Sequence, residues 1–207
     1  MNHSKKIAIL LFFILLNNAF SKPKVDLYIE SLCQDSIAFL SISYAKFLKQ
    51  PDHNDIADVN IYPYGNAKET GESGKYNYEC QHGPNECYGN LYYACAIAFL
   101  APQTAHDFIV CMESNIISHG RSFDFTAYHC IASQPDLLSK IQNCIYNPAI
   151  SIPIMHQIAQ KTDNLVPKHT HVPWVVVDDI YNEDVENKII KDMYGYLKNE
   201  VVKGMLH

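Results

Sequence analysis

Seven cysteines constrain this chain more than any other feature of its sequence, and they are unevenly spread. Six of them lie between positions 80 and 144, whereas Cys33 stands alone near the start. If the chain enters an oxidising compartment its thiols pair, so the odd number predicts three structural disulfides and one free thiol. The economical prediction leaves Cys33 free and pairs the other six, which are Cys80, Cys87, Cys95, Cys111, Cys130 and Cys144. A bond from Cys33 to one of these six stays open as an alternative.

The first residues supply the reason to expect that compartment. In "MNHSKKIAILLFFILLNNAFSKP", Lys5 and Lys6 precede an apolar run over residues 7–16, and small residues stand at positions 19 and 21. This pattern is typical of a secretory signal peptide, which we place at residues 1–21. A membrane-spanning helix needs roughly 18 or more apolar residues, so no membrane insertion is expected. The predicted location is the secretory pathway, with a secreted or lysosomal product.

The charge balance excludes one class of partner. The chain has 22 acidic and 16 basic residues and a formal net charge of −6. Such a chain lacks the basic surface that binds phosphate backbones or anionic membranes. We therefore expect no nucleic-acid partner, and the sequence carries no signal for an oligomeric state.

Hydrophobic periodicity predicts a β-α-β unit at the start of the mature chain. Alternating apolar residues over 25–30 indicate a strand, and "DVNIYPYG" at 58–65 indicates a second one. Between them, apolar residues spaced by three and four form one face of a helix that ends before Pro51; they are Ile37, Leu40, Tyr44, Phe47 and Leu48. Cys33 therefore lies where a strand turns into a helix.

The middle of the chain has a different character. A polar loop over residues 66–80 is followed by helical patterns at about 86–100, 103–117, 124–133, 135–145 and 150–162. Strand character returns at 172–179, a short strand near Ile180 is possible, and a helix over about 183–202 closes the chain. We predict an α+β fold in which a thioredoxin-like domain (22–66 and 165–207) is interrupted by a disulfide-stapled helical insertion (67–164).

Cys33 is the candidate nucleophile. Thiolates attack disulfides, and the unpaired N–H groups at the start of a helix stabilise a thiolate. Ser36, one turn further, could donate its hydroxyl to the same sulfur, whereas the charge of Asp35 would oppose a thiolate unless that side chain points to solvent. We expect the helix start to dominate.

Pro173 is the second candidate. In thioredoxin-like folds, a cis-proline that precedes the strand after the insertion packs against the catalytic cysteine, and Pro173 has that place in the chain. Cis X-Pro bonds make up only about 5–6% of such bonds in folded proteins, so the position in the order of elements carries this prediction. The alternative is a trans proline at a strand edge.

No cofactor or metal is expected from the sequence. Cys80 and Cys87 are separated by more residues than the two to four typical of structural zinc sites. His169 and His171 could hold a metal on an extended segment, but we predict a hydrated surface pair. His82 is interpreted as a loop residue tied to the backbone.

One segment indicates a protein family far more specifically than the features above. "CQHGPNECYGNLYYAC" at 80–95 resembles the signature of the gamma-interferon-inducible lysosomal thiol reductase family. Four further blocks support the resemblance: "LYIESLCQDS", "YPYGNAKE", "FIVCMES" and "MHQIAQKTDNLVPKHTHVPWVVVDD". It implies a thioredoxin-like fold with a helical insertion and an enzyme that reduces protein disulfides at acidic pH in endolysosomes. It also implies that Cys33 attacks, that Pro173 is the active-site proline and that the signature loop is structural.

The sequence departs from that family at Ser36, where the second cysteine of a C-x-x-C pair belongs. Without it, no thiol within the site can release a mixed disulfide. The expected chemistry is a monothiol cycle with an external small thiol such as glutathione or cysteine, or else isomerisation or trapping of disulfide-containing proteins. Two non-enzymatic alternatives remain: a catalytically impaired secreted binding or immune module, and, more weakly, a saposin-like lipid-binding lobe.

Overall fold

The structure is a computed structural model that describes residues 22–203, and residues 202 and 203 through their backbone only. The predicted signal peptide over 1–21 lies outside the described residues. Among the described helices, none is both long and apolar enough to cross a bilayer.

Strands and helices follow the predicted order, with two additions, a short helix at His53–Ile56 and a β-hairpin at 68–79. The elements are β1 (Lys24–Ile29), helix α1 in three consecutive segments (Gln34–Phe39, the π-helical turn Leu40–Tyr44 and Ala45–Leu48), α2 (His53–Ile56), β2 (Asp58–Pro63), β3 (Lys68–Glu72), β4 (Lys75–Glu79), α3 (Pro84–Phe99), α4 (Pro102–Asn115), α5 (Phe123–Ile131), α6 (Pro135–Ile145), α7 (Pro148–Asp163), β5 (Trp174–Val177), β6 (Ile180–Tyr181) and α8 (Glu183–Lys203). Four helices of the insertion begin at a proline, because the first helical position needs no N–H and suits the fixed φ of proline.

A four-stranded sheet in the order β2-β1-β5-β6 forms the centre of the fold. Strand β1 pairs in parallel with β2 and antiparallel with β5, so it is enclosed between them. Val25, Leu27 and Ile29 are fully buried on one face, and Tyr28 packs with Trp174 on the other. Burial on both faces explains why β1 holds a fixed position from which the next residues, including Cys33, are placed.

The insertion helices share the core of the sheet domain. One cluster of buried side chains joins β1 and α1 to helices α3–α6 and to α8. Its largest fully buried members include Phe39, Phe47, Tyr92 and Phe123. The α+β fold predicted from the sequence is confirmed, and its helical insertion packs directly against the thioredoxin-like part.

The polar segment 66–80 is a β-hairpin, so its assignment as a loop was wrong. Strands β3 and β4 pair antiparallel around a two-residue turn, Ser73–Gly74, in which both residues have positive φ. The hairpin packs on α7, where Tyr76 stacks on His156 with ring centroids 4.1 Å apart. Its strands are exposed or half-buried, which is why their apolar alternation is weak in the sequence.

Three disulfides tie the insertion together. They join Cys80 to Cys87, Cys95 to Cys144 and Cys111 to Cys130, and Cys33 is free. The second of these links α3 to α6 and the third links α4 to α5, so each staples two helices. The first closes a short loop before and within the first turn of α3.

Candidate active site

Cys33 lies at the junction of the central strand and helix α1. It is the residue before the first helical position, with extended backbone (φ −71°, ψ 124°), and its carbonyl accepts the first helical bond from Ile37 N–H at 2.9 Å. The residue is half-buried. Cys33 therefore lies at the start of the helix, as predicted, and the residue is partly exposed.

The Pro173 loop approaches the same sulfur. Cys33 Sγ lies 3.6 Å from the carbonyl oxygen of Val172, and the Val172–Pro173 peptide bond is cis. These distant parts of the chain meet because β1 and β5 are neighbours, with Tyr28 opposite Trp174 in register. The thiol and the proline loop thus form one surface.

Ser36 has a different partner from the one considered in the sequence analysis. Its side chain is fully buried, and its Oγ accepts a hydrogen bond from the backbone N–H of Glu30 at 3.3 Å. Within residues 22–203 it makes no hydrogen bond to the Cys33 sulfur. The serine therefore ties helix α1 to the end of β1. Asp35 is exposed, as expected.

Residues of the 80–95 signature hold the turn that precedes Cys33. Asn90 Oδ1 accepts the backbone N–H of Ser31 at 2.9 Å, and the Ser31 hydroxyl donates to the carbonyl of Glu86 at 3.0 Å. Helix α3 comes so close at Gly89 that a Cβ there would overlap the Ser31 hydroxyl and the Phe123 ring. The part of the 80–95 signature that lies in α3 thus supports the turn that precedes Cys33.

A group of charged side chains lies beside this support. His82 Nδ1 is 2.5 Å from Glu86 Oε2 and 3.7 Å from Glu30 Oε2, and both carboxylates are fully buried. Burial, opposed in part by the Asn66 N–H bond and reinforced by the Glu86 charge, raises the pKa of Glu30. His82 was interpreted as a loop residue tied to the backbone; its ring instead contacts two carboxylates. The i, i+4 spacing of His82 and Glu86 is the one sequence signal that indicates this contact.

A shallow cavity of about 450 Å³ lies next to the proline loop. Asp35, Phe39, Ile42, His171 and Pro173 contribute to its walls. Ile42 is 69% exposed, which is unusual for isoleucine and gives the cavity an apolar rim. Val172, whose carbonyl oxygen contacts the Cys33 sulfur, is among the lining residues, so the cavity adjoins the thiol.

His169 and His171 have separate environments. His171 Nε2 lies 2.8 Å from Glu186 Oε1, whose second oxygen accepts the Val175 N–H at 2.7 Å. His169 is half-buried, and burial lowers its pKa. The sequence analysis missed Glu186, a buried carboxylate that braces both His171 and β5.

Comparison with known proteins places this arrangement in a family. A model of the gamma interferon inducible lysosomal thiol reductase (GILT) family matches residues 24–147. The gamma-interferon-inducible lysosomal thiol reductase of Carassius auratus is 34% identical over 84% of this chain and 67% of its own length. The reductase of the same name from Mus musculus is 32% identical over 75% of this chain and 60% of its own length. The chain thus spans about two thirds or less of these relatives.

Solved structures agree on the architecture. The crystal structure of the oxidoreductase DsbA from Xylella fastidiosa matches 88% of this chain and 88% of its own length with a TM-score of 0.51. This structural match shows a shared thioredoxin-like fold. Because the sequences are only 15% identical, it shows nothing finer. The family model, which matches residues 24–147, and the relative from Carassius auratus together show that the chain belongs to the gamma interferon inducible lysosomal thiol reductase family.

Proposed function

We propose that this protein is a thiol-disulfide oxidoreductase in which Cys33 is the only redox nucleophile. One observation carries the proposal. Cys33 is the one cysteine without a disulfide partner in the part of the chain that the structure describes; the residue is half-buried, and its sulfur lies 3.6 Å from the carbonyl oxygen of Val172, which precedes cis-Pro173. Family membership and the DsbA-like fold support the same class of chemistry.

The reaction begins with the Cys33 thiolate. Its sulfur attacks one sulfur of a substrate disulfide, which forms a bond between Cys33 and the substrate and releases the other substrate sulfur as a thiolate. That thiolate takes up a proton from solvent. The first step leaves the number of disulfide bonds unchanged and covalently attaches the substrate to the protein.

The second step needs a thiol from outside the site because Ser36 has no sulfur. A small thiol such as glutathione or cysteine attacks the Cys33 sulfur and releases the reduced substrate. A second small thiol then regenerates the Cys33 thiol and leaves as a small-molecule disulfide. Two small thiols are oxidised for each substrate disulfide that is reduced.

Protein disulfides are the proposed substrates, and the endolysosomal or secreted branch of the secretory pathway is the proposed location. The relatives from Carassius auratus and Mus musculus are named lysosomal thiol reductases. The apolar rim at Ile42 beside the Pro173 loop suits an unfolded chain better than a small polar molecule.

A direct assay tests the proposal. The parent protein and a Cys33→Ser variant are incubated with a disulfide-bonded protein substrate at acidic and at neutral pH, with and without glutathione. We expect turnover by the parent only when glutathione is present, and a trapped mixed disulfide on Cys33 when it is absent. Equal rates for the two proteins would refute an oxidoreductase role and favour a binding module that retains the fold.

A further inference from the structure

Two buried carboxylates and one imidazole meet behind the active-site turn. Glu30 directly follows β1. His82 lies in the loop before α3, and Glu86 lies in the first turn of α3. One oxygen of each carboxylate and one nitrogen of the imidazole all lie within 4.8 Å of one another. The proposed redox chemistry at Cys33 uses none of these atoms.

Backbone N–H groups orient both carboxylates toward a common centre. Glu30 Oε1 accepts the N–H of Asn66, and Glu86 Oε1 accepts the N–H of His82 at 3.1 Å. The second oxygen of each carboxylate then faces His82 Nδ1, at 3.7 Å for Glu30 and 2.5 Å for Glu86. Metal sites use hydrogen bonds of this kind to fix the direction of their ligands.

One of these oxygens has no hydrogen-bond partner among the described residues. The Glu30 side chain is fully buried, and its Oε2 makes no hydrogen bond within residues 22–203. In this same range, His82 is the only lysine, arginine or histidine whose side-chain nitrogen lies within 4.0 Å of either carboxylate. A buried carboxylate oxygen without a hydrogen-bond partner is rare, and an ion bound at that oxygen would account for it.

We propose that Glu30 Oε2, His82 Nδ1 and Glu86 Oε2 bind a divalent transition-metal ion, for which Zn²⁺ is the natural probe. Zinc combines imidazole and carboxylate ligands, and sites with three protein ligands take a water in the fourth position. Two ligands of a tetrahedral zinc lie roughly 3.4 Å apart. The 3.7 Å separation of His82 and Glu30 is close to that value.

The shorter contact must open when the ion enters. His82 Nδ1 and Glu86 Oε2 are separated by 2.5 Å, a hydrogen bond whose proton the metal would replace. The His82 side chain is 40% exposed, so its ring can shift outward, and this same side is open to water. The buried carboxylates can stay where they are.

The surrounding frame is rigid enough to keep the three groups together. The Cys80–Cys87 disulfide closes the loop that carries His82 and Glu86. On the opposite side, the backbone comes so near at Gly65 that a Cβ would overlap the Glu30 side chain. A bound ion would therefore link Glu30, three residues before Cys33, to the start of α3. The inference goes beyond the redox proposal and does not depend on it.

Zinc binding to the intact protein tests the site. We choose a Cys33→Ser background, because a free thiolate would itself bind zinc, and no reductant is added so that the disulfides remain closed. Isothermal titration with Zn²⁺ near neutral pH should show one saturable site per chain. Co²⁺ in place of Zn²⁺ should give the visible absorption of a four-coordinate nitrogen and oxygen site.

The discriminating variant is His82→Gln, since glutamine still donates a hydrogen bond to Glu86 but is a poor zinc ligand. We expect its zinc affinity to fall by about 100-fold or more, because even outer-shell partners of metal ligands are worth 10–100-fold. The matched control is His156→Gln, because His156 Nδ1 also contacts a carboxylate, Glu69 Oε2, at 2.8 Å. That variant should bind zinc as its parent does.

A second variant, Glu30→Gln, tests the site independently in case His82→Gln does not fold. The thermal unfolding of every variant is recorded first. Loss of the site in both Glu30→Gln and His82→Gln, with retention in His156→Gln, supports the proposal. It is overturned if the Cys33→Ser protein shows no saturable zinc binding, or if folded His82→Gln binds zinc with unchanged affinity.

Discussion

Asn90 Oδ1 accepts the backbone N–H of Ser31 at 2.9 Å, and this bond connects helix α3 of the insertion to the turn that carries Cys33. Both residues are fully buried. The turn therefore depends on the insertion for the hydrogen bonds that its own strand and helix do not supply, which gives the 80–95 signature a physical role.

Asn90→Ala should loosen the active-site turn. The change leaves the buried Ser31 N–H without an acceptor, and such a group costs about 1–3 kcal/mol of stability. Urea unfolding with intact disulfides should show a loss of this size, together with an altered rate of Cys33 alkylation by iodoacetamide. Asn164→Ala, at an exposed helix end, serves as the control and should change neither quantity. An unchanged midpoint for Asn90→Ala would contradict the supporting role of this bond.

Ser36→Cys should convert the monothiol site to a dithiol site. The new thiol stands where a resolving cysteine can attack the mixed disulfide on Cys33, so reduction should proceed with a dithiol donor and no longer require glutathione. Oxidised protein should also lose its single titratable thiol, because Cys33 and the new cysteine pair.

The matched control for that change is Ser36→Ala. It removes the acceptor for the buried Glu30 N–H, which costs about 1–3 kcal/mol, but supplies no sulfur. Its activity should keep the glutathione dependence of the parent. If Ser36→Cys behaves like Ser36→Ala in both assays, an internal resolving thiol is not what this site lacks.

Much of this site follows from local sequence patterns, and the rest depends on contacts between distant segments. Periodicity alone places Cys33 between strand β1 and helix α1, because apolar residues alternate along β1 and recur at intervals of three and four along α1. The hairpin over 68–79 could not be predicted, because its strands are mostly exposed and so lack a clear apolar alternation. The Glu30 contact with His82 has no local signature at all; it exists because α3 packs against the end of β1.

A buried carboxyl makes stability depend on pH. Glu113 is 1% exposed, and burial raises its pKa well above the usual value. The folded state therefore binds a proton that the unfolded state has already released. Its contribution to stability is complete below the unfolded pKa and is lost as pH rises through the folded pKa, so Glu113 by itself favours folding more in acid than at neutral pH.

Glu113→Gln removes this dependence because glutamine carries no charge at any pH. The variant should match the parent in acid and exceed it at neutral pH, by on the order of 1.4 kcal/mol for each pH unit between the unfolded pKa and either neutral pH or the folded pKa, whichever is lower. Urea unfolding at both pH values measures the difference. A stability difference between Glu113→Gln and parent that is the same at both pH values would contradict this account.

Ile42→Asp should separate protein substrates from small ones. Ile42 is 69% exposed on the rim of the cavity beside Pro173, so the change should not affect folding but should repel an apolar segment that docks there. Losing a partly buried isoleucine contact is worth about 1 kcal/mol, so kcat/KM for a protein disulfide should fall roughly fivefold. The rate with a small disulfide, which needs only the thiol, should stay the same. Ile117→Asp changes another exposed isoleucine, 48% exposed and outside this cavity, and should alter neither rate. Equal losses for both substrates in Ile42→Asp would mean that the residue supports the thiol and does not bind the client chain.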